Sequence, residues 1–320
     1  MKFSIITPVF NSFHLMKSYF FNLENQIFKD FEVIIIDDSS TDKSYENIIK
    51  YKESSNLNIK VLRSRNNMGP GIARNIGLSE AVGQYIIFLD SDDYIDLNCL
   101  FDINLIIEKN KCDCVIFDYY HQKGSNKKYG VSIPKQPEGF VDIKTAIANS
   151  TGSVCCKVYK RENIEQNGIR FPQLQRFEDM VFNKLALSSS KEIFYLKKPL
   201  YYYVKHEESI VHNINYQNTI YAVSAFNIVE EKLKFQYPNE VEAIFIKEVL
   251  YSTIMLLISL EKKRHDILYQ INKYNGKYPN WSKNNYIKYF AFHQKVVLFM
   301  IKHKFFIGLK FMSYLKSKLK

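Results

Sequence analysis

Over its first hundred positions the chain alternates short, almost wholly apolar runs with stretches of helical spacing. Ser4-Ile5-Ile6-Thr7-Pro8-Val9, Phe31 to Ile36, Lys60-Val61-Leu62 and Tyr85 to Leu89 are runs of the length and β-branched content expected of buried strands. Between them, Leu15 to Gln26, Lys43 to Ser54 and Gly71 to Ala81 carry apolar residues at helical intervals. The polar cluster Asp37-Asp38-Ser39-Ser40-Thr41-Asp42 separates the second strand from its helix and suits a helix cap. This alternation predicts an α/β fold, a mostly parallel sheet covered by helices on both faces. Ligands of such sheets bind beyond the carboxyl ends of the strands. Here those ends carry Pro8 to Asn11, Asp37-Asp38 and Asp90 to Asp93, so one edge of the sheet is polar and acidic.

The pattern then changes. Residues 112–215 have shorter apolar runs with more aromatic and turn residues, and from about Tyr216 onward the spacing is helical, with Leu250 to Leu260 strongly apolar. The expected organisation is a catalytic domain over 1–215, divided at about residue 100, followed by a helical region over 216–320.

Charge sharpens this division. The 320 residues hold 44 basic and 33 acidic side chains, a net charge of +11. After Asp266 there are eleven lysines, no arginine and no acid; without those lysines the chain has 33 basic and 33 acidic residues. The excess therefore belongs to the terminal segment. Within 296–320, Leu298, Ile301, Phe305, Leu309 and Met312 share one face if the segment is a single helix, with lysines beside them. No uninterrupted apolar run approaches the roughly 20 residues a spanning helix needs. Such a helix suits an anionic membrane surface, with packing against another domain or a homodimer as the alternative use of its face. Nucleic acid is not expected, because the lysines are not mixed with arginine and no nucleic-acid motif is present.

The five cysteines, Cys99, Cys112, Cys114, Cys155 and Cys156, are odd in number and form no CxxC or zinc pattern, so they read as reduced core thiols. The first strand begins at once after Met1-Lys2, with no secretory signal ahead of it, and the expected location is the cytoplasm.

Four groups of residues carry candidate chemistry. Asp90-Ser91-Asp92-Asp93 follows a strand directly; oxygen ligands at this spacing can hold a hard divalent ion, although acids at a strand end also serve simply as caps. Asp37-Asp38 can accept from a base N–H or cap the next helix. The stretch Asn66 to Gly77 is a glycine-rich turn feeding a helix, with Arg74 one turn in, and it lacks the ending of a Walker loop. Glu178-Asp179 opens an apolar helix, where an acid compensates the helix dipole or serves as a general base.

The order and combination of these motifs resemble the family 2 glycosyltransferases of bacterial surface-polysaccharide synthesis. The resemblance rests on Pro8-Val9-Phe10-Asn11, Val33 to Asp42, Asn67-Met68-Gly69 with Ala73 to Gly77, Phe88 to Asp93, and Phe177-Glu178-Asp179, with Tyr202-Tyr203-Val204 and Ser209-Ile210 closing the domain. It implies the GT-A fold, Rossmann-like, and an inverting transfer from a UDP-sugar, a hexose or N-acetylhexosamine such as galactose or GalNAc, to a glycan hydroxyl of lipooligosaccharide, O-antigen or capsule. The acceptor is then a glycan, lipid-linked at the inner face of the bacterial plasma membrane. Pro8, Phe10 and Asp38 or Asp37 would line the nucleoside pocket, joined by Asn67, Gly69 and Ser91 on the donor side. Arg74 would approach the diphosphate and Asp90 the ribose. Asp92, with or without Asp93, would hold Mn²⁺ or Mg²⁺. Asp179 would be the base, Glu178 would support the acceptor, and His206 and His212 would close over the diphosphate. Two other classes compete. A sugar-nucleotide nucleotidyltransferase would carry a basic glycine-rich loop where Pro8 to Asn11 stands, and a non-catalytic binding subunit would have no use for Glu178-Asp179.

Overall fold

Strand β1 (Phe3–Val9) is buried almost throughout because it is flanked on both edges by parallel partners, β2 (Phe31–Asp37) and β4 (Tyr85–Phe88). In this computed structural model, which describes residues 1–206 and 215–318, β3 (Ile59–Arg63) extends the parallel part beyond β2. Helices α1 (Lys17–Glu24), α2 (Ser44–Ser54) and α3 (Pro70–Glu80) connect these strands, within a residue or two of the spans the periodicity predicts. Beyond β4 the sheet continues through strands the sequence left unresolved. These are β5 (Tyr94–Ile95), β6 (Cys114–Lys123), β7 (Asn126–Gly130), β8 (Gly139–Val141), β9 (Lys157–Lys160) and β10 (Ile193–Val204). The order is β3-β2-β1-β4-β9-β6-β10-β5, with β7 on β6 and β8 on β10. β9 is antiparallel to both its neighbours, and β6 and β10 are parallel to each other. Helices α4 (Cys99–Asn110), α5 (Ile143–Asn149), α6 (Arg161–Gln166) and α7 (Glu178–Ser188) complete this part of the chain.

The fold is therefore the expected α/β class, a mostly parallel sheet with flanking helices. The core is the double-covered apolar run of each central strand: Ile5, Ile6, Val33 to Ile36, and Ile86 to Phe88 are inaccessible. A ring cluster of Phe88, Tyr159, Phe171 and Phe182 seals the start of α7 onto the sheet. All five cysteines are buried free thiols.

The chain separates into two units, Met1–Ala146 with Ser150–Ser209, and Ile147–Asn149 with Ile210–Lys320. The second is helical: α8 (Gln217–Leu233), α9 (Pro238–Ile244), a π-helical stretch Phe245–Tyr251 leading into α10 (Ser252–Ser259), α11 (Arg264–Lys277), α12 (Phe292–Lys302) and α13 (Phe306–Lys318). Among the described residues no helix is long and apolar enough to cross a membrane.

The terminal segment departs from the single-helix expectation. The chain turns between α12 and α13, with Lys304 in the left-handed region at φ 54°. Leu298, Ile301 and Leu309, three members of the predicted membrane face, are buried inside the unit instead. Phe305 of that face stays exposed, and the other exposed apolar residues include Phe299, Ile307, Phe311 and Tyr314, which lie off it.

Candidate active site

The carboxyl ends of β1, β2 and β4 are cross-tied by short polar side chains. Asn11, left-handed at φ 52°, accepts through Oδ1 from the Thr41 and Asp42 amides and receives Ser40 Oγ on its own N–H. Ser12 and Ser91 share a 2.7 Å hydroxyl contact, which joins the first loop to the acidic one. Ser91 is thus engaged with the first loop. Pro8 is half-buried and Phe10 is 44% exposed at the rim of this edge.

Asp37 and Asp38 are both buried but differently employed. Asp38 accepts from Ser64 Oγ at 2.7 Å, from the Met68 amide and from the Gly69 amide at 2.7 Å, which fixes the turn at 66–69. Gly69 sits there at φ 85°, a conformation suited to glycine, and its amide also lies 3.3 Å from Asn67 Oδ1. Asp37 pairs with Arg63 and the Ser40 amide through Oδ2, while its buried Oδ1 has no partner among the described residues. The Asp37 carboxylate therefore keeps an acceptor at the strand end, and Asp38 builds the turn beside it.

Arg74 is where the structure most revises the sequence reading. It is 5% exposed and lies between Asp90, at 2.7 Å, and Glu178, at 3.2 Å, over the ring of Phe171. Burial alone would lower its pKa; the charges of Asp90 and Glu178 outweigh that and raise it, so the guanidinium is permanently charged. Its Nε is buried without a partner among the described residues. Arg74 is thus held by two carboxylates of the chain itself. It ties the acidic loop after β4 to the start of α7. The next residue, Asn75, locks the same junction by exchanging two hydrogen bonds with the Phe171 backbone, at 2.8 and 2.9 Å. Glycine is required opposite: a Cβ on Gly71 would stand 2.7 Å from Glu178 Cγ.

The three carboxylates after β4 divide their tasks. Asp90 takes Arg74 on Oδ1 and faces Cys155 Sγ at 3.5 Å on Oδ2. Asp93 accepts from the Tyr201 hydroxyl and, at 2.7 Å, from the Val204 amide, so both of its oxygens brace β10. Burial, then Asp92 and Asp90, raise its pKa well above the ordinary range. Asp92 is half-buried, its side chain without a hydrogen-bond partner among the other described residues, and burial, then Asp90, raise its pKa too. His206 Nε2 lies 3.4 Å from the Asp92 carbonyl. His212, Ser209 and Ile210 lie outside the described residues.

Among the described residues no three His, Cys, Asp or Glu side chains converge on one point, so the chain does not by itself enclose an ion. The donor set fits a hard divalent cation nonetheless. Asp92 is a partly dry carboxylate next to two others, with His206 as a nearby titratable base, and its oxygens suit Mn²⁺ or Mg²⁺. An ion held this way keeps most of its positions for phosphate oxygens and water. Of the two aspartates proposed for it, Asp92 fits and Asp93 is already committed.

Asp179 heads α7 after Phe177, which takes a left-handed φ of 65° to turn the chain. One of its oxygens accepts from the Met180 amide at 2.7 Å. Burial, then the neighbouring Glu178 charge, raise its pKa to about 7 against the opposing pull of Arg74. A carboxylate poised there can take a proton near neutrality. If it does so in the reaction, acceptor kcat/KM should climb tenfold per pH unit up to about 7 and then level. A profile whose acid limb falls near the ordinary value of 3.8 would remove Asp179 from that role.

Sequence reasoning assigned no role to Asn75, Cys155 or Tyr201. Asn75 follows Arg74 in the quoted motif, and Tyr201 opens the Tyr201-Tyr202-Tyr203 run; Cys155, 65 residues from Asp90, left no local signal.

The Rossmann-like, mostly parallel sheet with flanking helices and an acidic carboxyl edge is of the GT-A class of folds. Comparison with known proteins narrows this. Residues 4–168 match the family model described as "Glycosyl transferase family 2", and the chain belongs to that family of glycosyltransferases. It is 32% identical over 214 residues to the poly(ribitol-phosphate) β-N-acetylglucosaminyltransferase TarS of Staphylococcus aureus, covering 65% of this chain and 36% of TarS. It is 34% identical over 210 residues to the poly(ribitol-phosphate) β-glucosyltransferase of Bacillus spizizenii, covering 64% and 32%. The chain thus spans about a third of the length of these relatives. A crystal structure of TarS residues 1–349 with UDP-GlcNAc superposes with a TM-score of 0.62 at 26% identity, over 90% of this chain and 92% of that one.

Proposed function

We propose that the chain is a metal-dependent inverting glycosyltransferase that moves a hexose or N-acetylhexosamine from UDP to a hydroxyl of a bacterial cell-surface polymer. The observation that carries the reading is Asp179: a half-buried carboxyl with a pKa of about 7, coupled through Glu178 and Arg74 to the acidic donor edge. The UDP-GlcNAc in the TarS crystal supports a UDP donor, and the names of TarS and of the Bacillus enzyme bear on the sugar and the acceptor. They favour glucose or N-acetylglucosamine over galactose or GalNAc, and a phosphate-containing wall polymer over lipooligosaccharide, O-antigen or capsule.

In this mechanism Pro8, Phe10, Asp37 and the turn braced by Asp38, Asn67 and Gly69 receive the nucleoside. Asp90 stands on the ribose side, fixed by Arg74. Asp92 would hold Mn²⁺ or Mg²⁺, which would supply positive charge against the departing diphosphate. Asp93 and Ser91 keep the loop in place, and His206 covers its outer side. Asp179 accepts the acceptor proton as the hydroxyl oxygen attacks the anomeric carbon on the face opposite UDP, so an α-linked donor gives a β-linked product. Glu178, tied to Arg74, steadies the start of α7. The donor half is tested by thermal shift: UDP with Mn²⁺ should raise the melting temperature, and GDP should not. Equal stabilisation by both nucleotides would set aside the uridine reading.

The second unit supports a peripheral site on the inner, anionic face of the plasma membrane. Phe299, Ile307, Phe311 and Tyr314 are exposed beside Lys302, Lys304 and Lys310. Co-sedimentation with phosphatidylglycerol vesicles should be lost in Lys302→Glu/Lys304→Glu. Absence of vesicle binding together with a dimer in solution would assign that apolar face to a second copy.

A further inference from the structure

The β6–β7 hairpin encloses an open cavity of about 510 Å³ that no step above uses. Its volume lies within the roughly 300–1,000 Å³ usual for ligand sites. Lys123, Lys127, Lys128 and Lys205 line it, and no carboxylate does. Half of the remaining lining is aromatic, Tyr119, Tyr129 and His121, and the rest is Gln122, Asn126 and Gly130. Four ammonium groups around ring faces, with no acid to neutralise them, make a site for a polyanion and a poor one for a neutral sugar.

The site is rigid. Asp118, fully buried beneath the hairpin, accepts from the hydroxyls of Tyr129 and Tyr195 and from the Ser132 amide, so its charge is spent inside the fold. Lys127 Nζ stands 4.5 Å from the ring centroid of Tyr202, and Tyr202 is stacked on Tyr94 at 4.5 Å. His121 is half-buried, and its Nδ1 has no partner among the described residues. Burial, then Lys205 and Lys128, lower its pKa, as expected where positive charge is concentrated.

The cavity also borders the acidic edge. Lys205, on its wall, binds the Gln122 carbonyl through its own amide at 2.8 Å. Val204 just before it binds Asp93, and His206 just after it lies against the Asp92 carbonyl. Tyr203, whose ring meets that of His121 at 5.5 Å, lies within electrostatic reach of Asp93, Asp90 and Asp92. A chain lying in the cavity therefore passes beside the segment 204–206 that backs the candidate donor site.

We propose that the cavity of the β6–β7 hairpin, ringed by Lys123, Lys127, Lys128 and Lys205, binds a phosphodiester-bearing acceptor polymer and holds its phosphates while a neighbouring hydroxyl reaches the reaction centre. The proposal rests on the glycosyltransferase reading and names its acceptor class. Each phosphate offers an ammonium group charge-assisted hydrogen bonds that a hydroxyl of a neutral glycan cannot match. Because the lysines are exposed, the attraction is screened by salt.

The test is titration of the full chain with a short glycerol-phosphate oligomer, read by calorimetry at low and at high salt. A neutral glucan oligomer and phosphatidylglycerol vesicles are run in parallel, with UDP and Mn²⁺ binding measured on every variant. The expected result is salt-sensitive binding of the oligomer, none of the glucan, and an affinity lower by about tenfold or more in Lys127→Ala/Lys128→Ala. Lys109→Ala, on an exposed face of α4, should bind like wild type, and UDP binding should be unchanged in both. Equal binding of the oligomer to wild type and the double variant would overturn the proposal. So would binding of vesicles alone, or no oligomer binding in protein that still binds UDP with Mn²⁺. Loss of UDP binding in the wild type would instead strike the glycosyltransferase reading itself.

Discussion

Asp179→Asn should bind UDP with Mn²⁺ as tightly as wild type and transfer sugar about 10²- to 10⁴-fold more slowly, the usual contribution of a positioned general base. The substitution keeps the shape of the side chain and an oxygen for the Met180 amide, so α7 keeps its start. It removes only the capacity to accept a proton. Donor binding is expected to survive because the nucleoside and diphosphate residues lie on the loops after β1, β2 and β4, and Arg74 retains Asp90 and Glu178. Single-turnover rates beside a UDP isotherm separate the two effects. Transfer within a fewfold of wild type would take Asp179 out of the chemistry, and a parallel loss of UDP affinity would make it part of the donor site.

The second large effect concerns Asp92. Removal of a metal-site group commonly costs 10- to 100-fold in metal affinity, and Asp92→Ala should weaken UDP binding in Mn²⁺ by at least about tenfold while leaving metal-free binding as it was. The neighbouring Asp93 provides the contrast. Its oxygens hold Tyr201 and Val204, so Asp93→Ala should lower the melting temperature, with a cost of about 1–3 kcal/mol from the unpaired buried groups left behind. If the two variants behaved alike, the division of labour between adjacent aspartates would be wrong.

The parallel half of the sheet was legible because each of its strands is covered on both faces and so consists of little but apolar residues. Ser4 to Val9 and Phe31 to Ile36 needed no partner to be recognised. The same reading weakened past residue 112. β7 is an exposed edge strand, Asn126–Gly130, with no buried residue, and β10 carries register shifts around Pro199, so neither shows a clean period. Candidate residues were legible as types and positions on one edge, but their partners were not. Arg74 reads from the sequence as an arginine for a diphosphate, with no sign that Glu178, 104 residues away, and Asp90 close over it. The terminal segment misled for a related reason. Apolar residues at helical spacing do not say whether the helix continues, and the turn at Lys304 redirects Leu309 into the core while leaving Phe311 outside.

The measurement that tests the central claim most directly is a calorimetric titration of wild-type protein with UDP, in Mn²⁺ and again after the metal is chelated. The account predicts saturable binding at one site per chain, weakened at least about tenfold by chelation. Binding of equal strength with and without metal would contradict the role given to Asp92, and no binding in either condition would contradict the donor site as a whole.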